Sequence, residues 1–269
     1  MKNVKLVFLL FISMMCASCA ELINDRGNTS GKTTLRVLSY NIHHCNPPSK
    51  PDFIDVDAIA ATIKAQKPDL VALQEVDANT GRSGKINQAE VLARKLGMNF
   101  YFAKAIDHDG GDYGVAILSR FPISEMHTSK LPTIASTKGE PRVLATAKVT
   151  LPNGKVLKFA STHLDAQRSD ENRLAQIKEI NSIVEKESLP MIIGGDFNAV
   201  TSSEVMKIFG EQFKSTCFEC DFTIPVLNPN KTIDFIGFKP VSVFHIVSHR
   251  AIPERYASDH LPVLSVLYF

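Results

Sequence analysis

The chain has 269 residues, 44% of them hydrophobic, enough for a substantial core in one globular domain. Its 30 basic residues nearly balance its 28 acidic ones. That balance excludes the general electrostatic pull on nucleic acid expected of a dedicated duplex binder.

Lys2 and Lys5 precede the apolar run Leu6 to Ile12, and Ala17 and Ser18 then lead to Cys19, the pattern of an export signal. The run is shorter than the roughly 20 residues of a spanning helix. The segment resembles the lipobox of bacterial lipoproteins, with Cys16 standing where a leucine is usual. The resemblance implies that residues 1–18 are a cleaved signal peptide and that Cys19 carries lipid. The protein is then exported and anchored at a bacterial membrane, on its periplasmic or cell-surface side, with plain secretion as the alternative. Two or more acyl chains make such an anchor stable. Residues 19–34, polar from Asn24 onward, read as a flexible tether before a domain spanning 35–269. Cleavage removes Lys2 and Lys5 but no acid, which leaves 28 basic residues facing 28 acidic ones.

Leu35 to Ile42 alternates and reads as a strand. Val56, Ile59, Ala60 and Ile63 are spaced for a helix that Pro68 stops, and Leu70 to Gln74 is a short strand ending at Glu75. A helix over Gln88 to Leu96, closed by Gly97, precedes strands at Asn99 to Ala103 and Val115 to Ser119. Pro152-Asn153-Gly154 predicts a hairpin between strands Val143 to Leu151 and Lys155 to Thr162. Ser169 is expected to cap a long amphipathic helix bearing Leu174, Ile177, Ile180 and Val184 on one face. Further strands are expected at Met191 to Ile193, Ile233 to Phe238, Val241 to Val247 and Pro262 to Leu267, and the Gly194-Gly195 pair is expected to turn the chain. Hairpins mixed with helix-separated strands imply mixed sheets covered by helices. Cys217 and Cys220 suit a local disulfide in an exported protein, with free thiols or a metal site as alternatives.

Polar clusters close four of these apolar runs: Tyr40 to His43, Thr162 to Asp165, Asp196 to Asn198, and Ser258 to Pro262. Asn41, Glu75 and Asp259 offer hard oxygen donors at or beyond strand ends. Such a set, with few carboxylates, fits Mg²⁺ or Mn²⁺ holding a substrate phosphate. Any one of them alone reads equally as a surface or turn residue. His163 and His260 are candidates for proton handling or for hydrogen bonds to a charged oxygen. Asp234 is an acid inside an apolar strand, where burial without a partner is costly. A histidine would relieve that cost and gain a fixed tautomer in return.

These clusters resemble the endonuclease/exonuclease/phosphatase superfamily through six motifs in order: SYNIH at Ser39, LQEVD at Leu73, YGVAILSR at Tyr113, STHLD at Ser161, GGDFN at Gly194 and SDHLP at Ser258. The resemblance covers about Leu35 to Phe269. It implies an α/β (α+β) four-layer sandwich, two mixed β-sheets packed face to face and flanked by helices, with the site at one end of the sheets. By the same resemblance Glu75 is the principal metal ligand, supported by Asn41 and Asp259. His260 is oriented by Asp234, Asp196 aligns or deprotonates the attacking water, and Asn198 and His163 donate to the phosphoryl oxygens. Whether Asp196 or His260 takes the proton is left open.

Arg142 and Tyr113 match positions near the phosphate. The loop Asn79 to Gly84, followed by Gln88, resembles a segment of small exported members, in which Arg82 and Gln88 either read the leaving group or sit solvated. Alternation along the first strand puts His43 on the face of Asn41. The function expected is Mg²⁺-dependent hydrolysis of a phosphodiester or phosphomonoester by a monomer, on a lipid headgroup or a small phosphorylated metabolite outside the cytoplasm. The alternatives are a nonspecific nuclease, with nucleic acid as substrate only, and a non-catalytic binding protein. The completeness of the constellation argues against the last.

Overall fold

The computed structural model describes residues 33–269. The expected signal peptide, Cys19 and nearly all of the tether lie outside the described residues. Among those described, no helix is long and apolar enough to cross a membrane.

Twelve strands form two six-stranded sheets. The first sheet is built from β1 (Thr34–Asn41), β2 (Leu70–Ala78), β3 (Asn99–His108), β4 (Gly111–Ser119), β11 (His245–Ala251) and β12 (Val263–Tyr268), in the order β11-β12-β1-β2-β4-β3. The second holds β5 (Ile123–Lys130), β6 (Val143–Thr150), β7 (Val156–His163), β8 (Met191–Asp196), β9 (Lys214–Ser215) and β10 (Asp234–Lys239), in the order β5-β6-β7-β8-β10-β9. Both are mixed: β1 runs parallel to β2 and β7 to β8, and the other pairs are antiparallel. The helices α1 (Val56–Gln66) and α2 (Gln88–Leu96) cover the outer face of the first sheet, and α3 (Glu171–Glu185) and α4 (Glu204–Gln212) that of the second. The result is the four-layer sandwich that the sequence implied.

Alternation along the strands assigns each residue to a layer. Leu35 and Val37 point into the core between the sheets, whereas Leu38 and Tyr40 pack under α1. On β8, Ile192 faces the other sheet and Ile193 faces α3 and α4. Helix ends follow their caps: the Asn87 side chain accepts from Glu90 N at 3.2 Å, and Gly97 closes α2 with φ of 65°. The Asn153-Gly154 step joins β6 to β7 as expected, with Gly154 at φ 81°.

Several local expectations need correction. α3 begins one residue later than the expected cap: Asp170 precedes it without a side-chain capping bond, and the Ser169 hydroxyl accepts from Glu171 N at 3.3 Å. The strand expected at Val241 to Val247 begins at His245, because Pro240 to Val243 form a turn closed by Val243 N donating to Pro240 O. The edge strand β5 and the helix α4 were not anticipated. β5 is mostly exposed and carries no apolar alternation. α4 spans only nine residues, although Ser203 caps it by accepting from Met206 N.

The Gly194-Gly195 pair does not turn the chain; both residues lie within β8. A Cβ on Gly194 would meet Ala72 Cβ at 2.8 Å and Ser39 Cβ at 3.2 Å, both on the facing sheet. A Cβ on Gly195 would meet Thr162 O at 2.7 Å on the adjacent strand. Gly195 lets β8 lie close against β7, and Gly194 lets the two sheets approach where their strands end. Overpacking that contact with Gly194→Ala is expected to destabilise the fold by about 1–3 kcal/mol, read as a lower urea midpoint at unchanged slope; an unchanged midpoint would show that the sheets do not need this approach.

Candidate active site

The site continues the core's own inward face past its last apolar residues. Along β1 the inward series runs Leu35, Val37, Ser39, Asn41; along β7 it runs Phe159, Ser161, His163; along β8, Ile192, Gly194, Asp196. β10 runs the other way and enters the series at Asp234 before Ile236 and Phe238. Strand register then aligns the polar ends: His163 pairs with Asp196 across β7 and β8, and Asp196 with Asp234 across β8 and β10. All of these side chains are buried.

Asn41 joins the two sheets at this level. Its Nδ2 donates to Glu75 Oε1 and to Asp196 Oδ2, each at 3.0 Å. Its Oδ1 accepts from His43 N at 3.0 Å and keeps a second lone pair. Glu75 reaches the site through a β-bulge: between Leu73 and Val76, two residues of β2 stand opposite Val115 of β4, and Glu75 takes φ of 56°. Such a bulge re-aims a side chain that simple alternation would send elsewhere.

His260 lies in the segment that enters β12. The Ser258 hydroxyl donates to Asn41 O at 2.7 Å, which ties this segment to the end of β1. His260 Nδ1 is 2.9 Å from Asp234 Oδ2, and its Nε2 is 3.8 Å from Asp196 Oδ2. Asp259 flanks it, half-buried, with Oδ1 3.4 Å from Ser258 Oγ, whose proton is taken by Asn41 O. The expected partnership of Asp234 with a histidine is present.

On the other side of Asp196, His163 Nδ1 is 3.1 Å from Arg142 Nη1. An arginine only donates, so Nδ1 accepts and the ring proton belongs on Nε2. That nitrogen is 3.5 Å from Asp196 Oδ2, which can accept its proton; Asn198 Nδ2, 3.0 Å away, is a second donor and bonds instead to Leu164 O at 3.0 Å. Asn198 N donates to Asp196 Oδ1 at 2.8 Å, with Asn198 at φ of 48°. The GGDFN motif thus supplies the close sheet contact, the acid and the amide within one turn of chain.

The charge states follow from burial and from neighbours. Burial alone would lower the His260 ring, but the charge and hydrogen bond of Asp234, with help from Asp196 and Asp259, raise it to about 10. Burial and the charge of Asp234 push the Asp196 carboxyl above the usual carboxylate range, against the pull of His260. Burial and then Arg142 hold His163 well below its ordinary value, so that ring is neutral near pH 7. Glu75 behaves oppositely to Asp196. Burial pushes it up, but His44, His163, the Asn41 amide and His260 outweigh that and hold it well below the usual range.

A cavity of about 150 Å³ opens beside Glu75, lined also by His43, His44, Arg82, Ile106, His108, Tyr113 and Glu140. His43 arrives there by a different route from the one expected. β1 ends at Asn41, and a 3₁₀ turn over His43–Cys45, with His43 and His44 at φ of 45° and 42°, swings both rings toward Glu75. The ligating atoms of His43, His44 and Glu75 lie within 4.8 Å of one another. His44, Glu140 and His108 were not anticipated; the His-His doublet and the acid two residues before Arg142 were the available signals.

Gln88 is not a solvated loop residue and does not face the cavity. It is fully buried, donating to His44 O at 2.6 Å and accepting from Asp77 N at 2.9 Å. Arg82 does line the cavity, gripped by Asp77 through Nε and Nη2 at 2.7 and 2.8 Å. Tyr113 is buried beneath it, with the guanidinium carbon 5.6 Å from the ring centre. Arg142 is buried and also pairs with Glu140 at 3.1 Å. Away from the site, Cys217 and Cys220 are paired as a disulfide.

The sandwich and this strand-end constellation define a class, and comparison with known proteins agrees. Residues 38–260 match the model of the Endonuclease/Exonuclease/phosphatase family, and the chain belongs to that family of phosphoesterases and nucleases, usually dependent on a divalent metal. It is 28% identical to nocturnin of Rattus norvegicus over 187 residues, 64% of this chain and 41% of that protein. The chain therefore spans about two fifths of the length of that relative. Two solved structures share the fold. An endonuclease/exonuclease/phosphatase from Beutenbergia cavernae superposes with a TM-score of 0.73 at 24% identity, over 87% of this chain and 71% of that one. A mannosyl-6-phosphatase from Bacteroides thetaiotaomicron gives 0.70 at 20%, over 87% and 100%.

The raised His260 is open to direct measurement. Its folded value of about 10 exceeds the unfolded value of about 6.5. The pairing with Asp234 therefore stabilises the fold fully below pH 6.5, and that contribution is lost as pH rises through 10. In metal-free protein, imidazole NMR is expected to place the His260 midpoint above 9, and Asp234→Asn to lower it by at least one pH unit. An unshifted midpoint in the variant would refute the assignment.

Proposed function

We propose that the protein is a Mg²⁺-dependent phosphoesterase, with Mn²⁺ as the alternative ion, that hydrolyses a phosphomonoester or phosphodiester of a small compound or lipid headgroup by in-line attack of water. The observation that carries this reading is the Asn41 amide bridging Glu75 of one sheet to Asp196 of the other, beside the buried Asp234 and His260 pair. One carboxylate is held ionised there and the other is pushed toward protonation. Such divergence marks a division of labour.

The donor chemistry fits a divalent cation. Glu75 is anionic in a half-enclosed cleft, and its salt-bridge contact is with the His44 ring at 3.9 Å rather than with a lysine or arginine. Glu75 and the free lone pair of Asn41 Oδ1, with Asp259 flanking, would hold the ion, and His43 and His44 stand within ligating reach of Glu75. A bound ion supplies neutralisation of charge on the phosphoryl and leaving oxygens.

The protein's own residues perform the rest. Asp196, a carboxylate of raised basicity, takes the proton of the attacking water. His260, kept protonated by Asp234, and His163 with its proton on Nε2 both face Asp196 and donate to phosphoryl oxygens, together with Asn198 Nδ2. Arg142 fixes the tautomer of His163 from behind. Support for a phosphatase rather than a nuclease comes from the balanced charge and from the mannosyl-6-phosphatase of the same fold. Support for lipid-anchored action outside the cytoplasm comes from the Ala17-Ser18-Cys19 pattern alone.

Hydrolysis of chromogenic aryl phosphomonoesters and phosphodiesters, with and without chelator, tests the reading. Glu75→Gln and His260→Ala are each expected to lower kcat by about 100-fold or more with far-ultraviolet circular dichroism unchanged. Chelator-resistant turnover, or near-normal rates in either variant, would sink it.

A further inference from the structure

In-line displacement places the departing oxygen opposite the attacking one. Asp196, Asp234 and His260 gather on the side where water is activated, and none of them lines the 150 Å³ cavity, which begins at Glu75 and Tyr113. A phosphoryl group between the two halves of the site points its leaving group into that cavity.

The cavity's walls select among leaving groups. Its volume lies well below the roughly 300 Å³ at which sites for drug-sized ligands begin. Ile106 is its one aliphatic member, so an acyl-bearing alcohol finds no apolar wall. The Tyr113 ring already lies under the Arg82 guanidinium, and the His108 ring tilts against it at 6.0 Å between centres, so the cavity's largest ring is engaged by its neighbours rather than free to stack on a nucleobase. Glu140 only accepts hydrogen bonds, Arg82 only donates, and His108, outside the group that would hold the ion, does either. Hydroxyl groups both donate and accept, and adjacent hydroxyls on one small ring or chain satisfy such a mixed set.

Arg82 is also built in advance. The buried Asp77 takes its Nε and Nη2 together with the hydroxyls of Thr80 and Ser83, at 2.8 and 2.5 Å, and its own N–H is held by Gln88. That leaves Nη1 for a ligand at no further ordering cost. Asp77 acts as a positioning residue through Arg82, and it accounts for the Thr-Gly-Arg-Ser run that the catalytic reading does not use.

We propose that this cavity is the leaving-group subsite and that its occupant is a compact polyhydroxylated alcohol, which makes the substrate a sugar or polyol phosphoester. This rests on the phosphoesterase reading above. In the reaction the water oxygen bonds to phosphorus while its proton passes to Asp196. The bond from phosphorus to the alcohol oxygen breaks with its electron pair on that oxygen, which takes a proton from solvent.

The experiment compares kcat/KM at fixed Mg²⁺ for hexose 6-phosphates, glycerol phosphate, a nucleoside 5′-monophosphate, p-nitrophenyl phosphate, phosphatidic acid vesicles and duplex DNA. At least one sugar or polyol phosphate is expected to exceed p-nitrophenyl phosphate and the nucleotide tenfold or more. Arg82→Lys, Glu140→Gln and the peripheral His108→Ala are expected to reduce the ratio of polyol to aryl turnover at least tenfold. Metal-dependent aryl hydrolysis with a flat panel, with preference for vesicles, nucleotide or DNA, or with ratios unmoved by all three variants would overturn the subsite while sparing the phosphoesterase reading. Hydrolysis of no ester at all would overturn both.

Discussion

Everything at the site depends on two sheets approaching closely at the ends of their strands. A core of Leu, Val, Ile and Phe side chains fills the space between them along most of their length. Near the polar ends the filling changes to Ser39, Ala72 and Gly194, and the backbones close in. Only then can one short amide, Asn41, reach a carboxylate on each sheet. A bulkier residue at Gly194 would push on the same gap that this amide spans.

The approach has an electrostatic price, since it assembles Glu75, Asp196, Asp234 and Asp259 around a few imidazoles and one buried arginine. Burial of like charges is tolerable when the members are unequal. Here one oxygen of Asp234 is paired with His260, Asp196 is driven toward its neutral form, and Glu75 stays charged at the mouth of a cavity. The excess negative charge is concentrated where a cation can enter, rather than spread across the cluster. His163 remains neutral behind Arg142, which prevents a second imidazolium from cancelling that excess.

Much of this was legible in the residues themselves. Asn41, His163, Asp196 and Asp234 could be placed because each continues the alternation of a strand, and alternation survives folding. Glu75 was placed by its motif; the bulge that turns it inward has no signature in the apolar pattern. His43 reached the right neighbourhood for the wrong reason, since the strand had already ended and a 3₁₀ turn carried it there. Gln88 looked exposed because its neighbours in sequence are polar, yet three hydrogen bonds bury it beneath the loop it follows. The edge strand β5 was invisible because an exposed strand need not alternate in hydrophobicity, and Gly194-Gly195 resembled a turn because close sheet packing and chain reversal both call for glycine.

The Ser258 hydroxyl that clips onto Asn41 O joins residues 217 positions apart. It ties the segment that carries His260 to the first strand of the domain, and β12 must then pair beside β1 to hold it. β1 and β12 are therefore held together twice, by their ladder and at the site itself, so loosening β12 from the sheet would draw His260 away from Asp234 and open the constellation without disturbing the second sheet.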